Sequence, residues 1–560
     1  MPFIGIIFLA IAASISGIAN QFAQDDFAVI WKNPLVHDLS HSFRFFAEPY
    51  WPKPFTPDLY RPLALLSFAV QWVIGGGEPV VFRIVSYLLY AVCSLAVLRL
   101  ARLTLPFAAA FAAAALFAVH PVHVEAVAMA VNQGELWVTL LSCLAVYAYV
   151  RARRAAGGMP TRTVLGIGAL YFVACFFKEN ALVLPGLLVA AELFLIPAAG
   201  PLRIRARQVA PLFALLVVLA VVFLGIRTAV LGDVRGTAIA EALEPLNVWG
   251  RALTMLTVVP HWFRLLLLPA HLQGDYSPQE IVGLTSWVAA DTAGVVLLLG
   301  TVLAAFAARH RAPVISFGLL WSAVALFPVH NVLVPTGIVL AERTLLLASV
   351  GVVITLGGIG ALLLEEAEPS GRAGLAVLVS VLLILGVYRS TTRHPVWADQ
   401  FTYWYVTANE DAPLSFRAHH ALAEMYVTAK AEGRAEEEYR VAIALAPPGV
   451  STVYLDYANR LRLRGFCYPA AELYRKSLAI DPKNLPVRAS LTACLIHMGK
   501  YEEAIEETSL GLSSGEKLPT WRWLRRTADS ALRAGAPPGS VRPRSVIDTL
   551  SGDVMIGTTR

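Results

Sequence analysis

Two adjacent carboxylates, Asp25 and Asp26, directly follow the first apolar stretch of the chain, residues 3–22. An acid at the edge of a bilayer can take a proton from an incoming hydroxyl. Adjacent like charges raise at least one of the two pKa values, which helps a carboxylate act as a base near neutral pH. Lys178-Glu179 closes the apolar run Tyr171–Phe177, and Glu342-Arg343 stands before another. Lys178 either snorkels to the headgroups or pairs with an anion, such as Glu179 or a lipid phosphate. Arg343 forms an ion pair with Glu342 or holds a phosphate in its planar donor fork. Arg61, in Leu59-Tyr60-Arg61-Pro62, is a further phosphate or sugar contact. His120, His123 and Glu125 have ligand types and a spacing that can converge on a metal. They lack the HExxH spacing of metalloproteases, so they are expected to support the site without metal. One reaction type uses all of these groups: a carboxylate activates a hydroxyl while cations stabilise a departing lipid phosphate.

Such a site needs a membrane, and the composition supplies one. The chain has 560 residues, 57% hydrophobic and 15% charged, with mean hydropathy +0.62. Soluble domains carry about 25% charged residues. Apolar stretches long enough to cross a bilayer recur from residue 3 to about residue 389. The pI near 9.0 reads as cytoplasmic loop anchors, not nucleic-acid binding. Cys93, Cys143 and Cys175 lie in apolar runs, and Cys467 and Cys494 in the polar tail. No CxxC or zinc spacing appears, so buried thiols are expected, with one tail disulfide as the alternative. Residues 1–22 lack a basic n-region and read as a retained anchor.

The expected spans are 3–22, 80–98, 105–120, 135–150, 163–178, 181–197, 208–230, 286–308, 313–329, 345–363 and 373–389. The positive-inside rule places Arg99/Arg102, Arg151/Arg153/Arg154, Arg203/Arg205/Arg207, Arg309/Arg311 and Arg372 in the cytoplasm. Residues 251–270 contain Pro260, His261, Arg264 and Pro269. A full crossing there would put Arg309 and Arg311 outside, so this stretch is expected to be re-entrant or interfacial. The result is an all-α, polytopic core of about eleven transmembrane helices over 1–397. Its amino terminus is inside, and 23–79 forms the first extracytoplasmic loop. The tail, 398–535, is soluble and helical. Gly433, Gly465 and Gly499 recur at 32 and 34 residues, and Pro447 and Pro482 close two of the units. That period fits about three tetratricopeptide repeats, one degenerate, with 516–535 or the core as cap. Residues 536–560 read as a flexible tail.

These residues resemble a known family: the membrane O-mannosyltransferases with extracytoplasmic tetratricopeptide repeats, of the GT-C class. The resemblance rests on Asp25-Asp26, Leu59-Tyr60-Arg61-Pro62-Leu63, His120-Pro121-Val122-His123-Val124-Glu125, Phe177-Lys178-Glu179, Phe327-Pro328 through Asn331, and Ala341-Glu342-Arg343. The motifs stand in the family's order and cover nearly the whole chain. It implies Asp25 as catalytic base with Asp26 supporting it or touching the acceptor. It implies Lys178, Arg343 and Arg61 as ligands of the donor phosphate, with His120, His123, Glu125, Glu179 and Glu342 in support. The donor would be a polyprenyl-phosphate sugar, the acceptor a protein Ser or Thr engaged by the repeats, and the sugar configuration inverted. There are departures. Thr344 through Ser349 replaces an aromatic-Leu-Pro-Ser segment, and Asn132-Gln133-Gly134-Glu135 lacks an arginine.

Two other readings stay open on the sequence. One is a non-catalytic membrane anchor that presents repeats to partners; the other is a GT-C enzyme that glycosylates a lipid or glycan. The Ala/Val/Leu/Arg bias with few Lys fits a bacterial inner membrane with the repeats in the periplasm. An ER membrane with luminal repeats is the alternative. No cofactor is expected, and membrane lipids surround the core.

Overall fold

A computed structural model describes residues 2–53, 55, 57–156, 159–196, 201–233, 238–516 and 518–541. Residues 542–560, most of the expected flexible tail, lie outside the described residues. The described chain is helical, without a strand. It divides into two compact units: Met1–Tyr276 with Ile281–Thr407, and Ser277–Glu280 with Ala408–Arg560.

The first unit is the apolar one. Among the described residues, six helices are long and apolar enough to cross a membrane, or seven if the bent pair Phe107–Ala118 and Pro121–Ala128 is one span. They include Pro79–Ala101, Ala289–Ala308 and Pro369–Trp397. Shorter apolar helices stand at Pro2–Gly17, Pro62–Gly75, Thr161–Phe177 and Pro313–Val329. Helix therefore lies within each expected span, while the lengths alone do not establish eleven crossings. Val217, Val221, Val302, Leu303, Ile384 and Leu385 are exposed on three of the helices. A water-soluble surface rarely carries such contiguous apolar area; a lipid-facing one must.

Two local expectations change. The first apolar helix ends at Ser14, not residue 22, and a short 3-10 turn Ile15–Gly17 follows. The loop 23–79 is not all loop: Pro62–Gly75 is a helix, begun by Pro62 at its first position, where no amide hydrogen is needed. The interrupted stretch 251–270 lies mostly in one helix, Val248–Leu267, with Pro260 inside it. Trp321 Nε1 donates to Leu347 O at 2.8 Å, tying Pro313–Leu326 to Leu346–Glu366.

The second unit stacks helix pairs: Phe416–Thr428 with Glu432–Leu445, Thr452–Leu463 with Cys467–Ile480, and Leu485–His497 with Tyr501–Ser513. Ala435, Ala470 and Ala504 are buried at matching places in the second helix of each pair, where a larger side chain would hold the helices apart. The turns correct the sequence period. Gly465 and Gly499 have positive φ, but their counterpart in the first pair is Lys430, at φ 58°, and not Gly433. In each turn the next amide closes the same bond: Ala431 N to Tyr426 O, Phe466 N to Leu461 O, and Lys500 N to Leu495 O, each at 2.9 Å. Leu518–Arg533 caps the stack, burying Trp521, Leu524, Ala528 and Ala531 and exposing Arg522, Arg526 and Arg533. Cys467 and Cys494 are buried and unbridged.

Candidate active site

Helix breaks position the charged side chains. The helix Phe107–Ala118 stops before His120-Pro121, because a residue preceding proline is pushed out of the helical region; His120 is extended, at φ −70° and ψ 120°. The chain turns through Pro121–His123 and resumes as Val124–Ala128, which carries Glu125. Met129 is extended, and the turn Ala130–Asn132 then leads into Gln133–Ala156, which carries Glu135 in its first turn. Lys178 is extended at the end of Thr161–Phe177, and Glu179–Val183 is a 3-10 turn. Ala341 is extended, and Glu342–Leu345 repeats the pattern.

The breaks bring the cations to acids from distant parts of the chain. Arg61 grips Glu179 through two donors, Nε at 3.0 Å and Nη2 at 2.6 Å. Lys178 Nζ lies 2.6 Å from Glu135 Oε1, and Asn180 Nδ2 donates to Glu135 Oε2 at 2.7 Å. Arg343 gives both its backbone amide, at 2.8 Å, and its guanidinium to Glu125. Lys178 is thus paired with Glu135, not with adjacent Glu179, and Arg343 with Glu125, not with adjacent Glu342. Residues next to one another on a 3-10 turn point in different directions, so sequence neighbours make poor partners here. Gly134 permits this join: a Cβ there would meet Phe177 O at 3.1 Å and Lys178 Cβ at 3.5 Å.

The acid pair divides its roles. Asp26 is fully buried; it accepts from Ala130 N at 3.1 Å and Val131 N at 2.8 Å, and lies 3.2 Å from Arg83 Nη2. Asp25 is part-buried and has no hydrogen-bond or ion-pair partner among the described residues. Burial raises its pKa, opposed mainly by the Arg343 charge, reinforced by Asp26 and Glu125, and opposed again by Arg61. Glu179 shows the opposite balance: despite burial, Arg61 holds it well below the usual carboxylate range. So among these site acids Asp25 is the one without a side-chain partner, within the fields of Arg343 and Arg61, and Lys178 lies in the field of the same two arginines.

The remaining expected residues lie nearby in other employment. His123 sits between Tyr90 Oη, at 2.9 Å, and Ser349 Oγ, at 2.8 Å. His120 Nε2 meets Leu266 O at 3.0 Å, and its Nδ1 accepts from Val122 N. Both rings are thereby spoken for, and they brace the break that carries Glu125. Glu342 accepts from Gln273 N at 2.6 Å and Tyr276 Oη at 2.9 Å.

Sequence reading missed Arg83, Glu135, Tyr50 and Asn180. Arg83 lies within the apolar helix Pro79–Ala101, and a buried arginine in such a helix was the available signal. It also donates to Gln21 O at 2.6 Å and to Ala128 O. Tyr50 Oη, Asn180 Oδ1 and Trp137 Nε1 are buried without a hydrogen-bond partner. Tyr50 lies beside Arg61, whose Cζ is 5.1 Å from the ring centroid. Gln133, where the arginine of the resembled segment is missing, joins a buried amide network with Gln71, Phe82 and Ser86.

A tetratricopeptide repeat family model matches residues 470–517. Over 565 aligned residues the chain is 23% identical to the mouse Protein O-mannosyl-transferase TMTC3, covering 87% of this chain and 60% of that protein. It is 31% identical over 292 residues to the Drosophila melanogaster Protein O-mannosyl-transferase Tmtc2, covering 50% of this chain and 30% of that protein. It is 22% identical to the Caenorhabditis elegans Protein O-mannosyl-transferase F38B6.6, covering 79% of this chain and 62% of that protein. The chain therefore spans less than two thirds of the length of each of these relatives.

Proposed function

We propose that this chain, a homologue of the protein O-mannosyl-transferases, moves a mannosyl group from a polyprenyl-phosphate carrier to Ser or Thr hydroxyls of extracytoplasmic proteins. One observation carries the reading: among the described residues Asp25 has no side-chain partner, yet it lies in the fields of Arg343 and Arg61, each of which is held by an acid of its own.

In the proposed step, Asp25 takes the proton of the acceptor hydroxyl. The hydroxyl oxygen attacks the anomeric carbon as the bond from that carbon to the phosphate oxygen breaks. The phosphate leaves with the electron pair, and a single displacement inverts the anomeric centre. Arg61 commits two of its five N–H donors to Glu179, and Lys178 one of its three to Glu135. The donors that remain are free for phosphate oxygens. The paired acids hold each cation in place before the charge arrives, so little reorganisation is needed during reaction. The unfilled Tyr50 Oη, Asn180 Oδ1 and Trp137 Nε1 suit the hydroxyls of a hexose, because a buried polar atom seeks a partner.

We place this face outside the cytoplasm, at the periplasmic side of a bacterial inner membrane, with the ER lumen as the equivalent compartment in a eukaryote. The tetratricopeptide repeats engage the acceptor protein. The test uses the purified chain and Asp25→Asn with labelled polyprenyl-phosphate mannose and a membrane-free extract of periplasmic proteins. Label reaching protein with the unaltered chain but not the variant supports the reading. Equal transfer by both moves the base elsewhere, and transfer by neither, with donor binding also absent, overturns it.

A further inference from the structure

Outside the site just described, one side-chain cluster has the makings of a metal centre. His420 and Glu424 are four residues apart on the helix Phe416–Thr428, so they share a face one turn apart. Asp456 reaches the same point from Thr452–Leu463, the first helix of the next pair. One ligand atom from each of the three lies within 4.8 Å of the other two. Bonds of about 2.0–2.2 Å to a common ion put ligand atoms roughly 3.3–3.6 Å apart at tetrahedral angles, so rotamer shifts of about an ångström close the site.

Two further features favour a cation over an ordinary ion pair. His420 Nε2 is buried and 3.0 Å from Asp456 Oδ2, yet it forms no aligned hydrogen bond. The Tyr439 hydroxyl donates to Glu424, fixing one carboxylate oxygen as outer hydrogen bonds do for metal ligands. Two carboxylates and a neutral imidazole balance a divalent charge, and one nitrogen with two oxygens suits zinc or a similar transition ion over calcium or magnesium.

We propose that His420, Glu424 and Asp456 bind a divalent transition-metal ion that clips the first helix of one repeat to the first helix of the next. The site is independent of the proposed transferase reaction. The experiment uses the full-length, untagged protein in detergent, stripped with chelator and dialysed against Zn²⁺, with Mg²⁺ as control. One Zn²⁺ per chain is expected, with a rise in the thermal transition of the repeats. His420→Ala and Asp456→Asn should each weaken binding more than tenfold and abolish the rise, and Tyr439→Phe should weaken it severalfold. Both ligand variants must show an unaltered metal-free transition, which separates lost ligation from lost fold. Co²⁺ should give visible absorption bands that His420→Ala removes. Zn²⁺ binding that survives both ligand variants is adventitious and overturns the proposal, as does failure to bind one equivalent.

Discussion

Asp25 and Asp26 are neighbours in sequence held in opposite circumstances. Asp26 is enclosed by Arg83 and two amides, whereas the Asp25 side chain has no partner among the described residues. Burial favours the neutral form of Asp25 and raises its pKa. Only the anion can act as a base, so transfer should climb with pH through that raised value and level off above it. The stability sign runs the other way. A carboxyl raised in the folded state contributes most below its unfolded pKa, and that contribution is lost as pH rises through the folded value. Asp25→Asn should therefore cut turnover by about 10²–10⁴-fold without lowering thermal stability at neutral pH, measured as transfer rate and melting in the same detergent. Arg83→Met should do the reverse of a surgical lesion. It leaves Asp26 charged in an apolar core, a change costing about 3–5 kcal/mol, and is read as loss of folded protein on heating.

Elements matter here mostly where they fail. The charged residues sit at interruptions after Ala118, Ala128 and Phe177 and at the turn that ends the irregular stretch 330–341, and each uses an extended residue before a tight turn. Gly134 holds two of these breaks together. Gly134→Val should push Lys178 off Glu135 and raise the donor KM severalfold while leaving membrane insertion intact; donor titration measures it. In the repeats, Lys430 occupies a left-handed turn position that glycine fills at 465 and 499. A side chain there costs about 1–2 kcal/mol, so Lys430→Gly should stabilise the second unit by up to about that amount in a denaturant titration. That substitution also explains the sequence misreading: the true turn carries no glycine, and Gly433, two residues into the next helix, imitates one.

At the scale of the whole molecule, one unit is apolar and carries Asp25 and the paired cations, while the other is a polar helical stack. If the repeats serve the acceptor, a chain ended after Thr407 should still transfer mannose to a short Ser/Thr peptide and lose transfer to folded protein. Comparing the two acceptors on the same truncated preparation checks this. Equal loss with both would mean that the repeats support the core rather than the substrate.

Hydropathy, arginine placement and the 34-residue period are local properties, written residue by residue, so the helices and the repeats were legible from the sequence. The charged motifs were legible as a set for the same reason: ionised groups are rare in apolar sequence and stand out. Their pairing was not. Arg61 with Glu179, Lys178 with Glu135 and Arg343 with Glu125 are separated by 118, 43 and 218 residues. Only the packing of helix ends decides which acid meets which base. That same packing set Asp25 apart from Asp26, because burial and pairing are properties of the folded surroundings and two adjacent identical residues carry no sign of them.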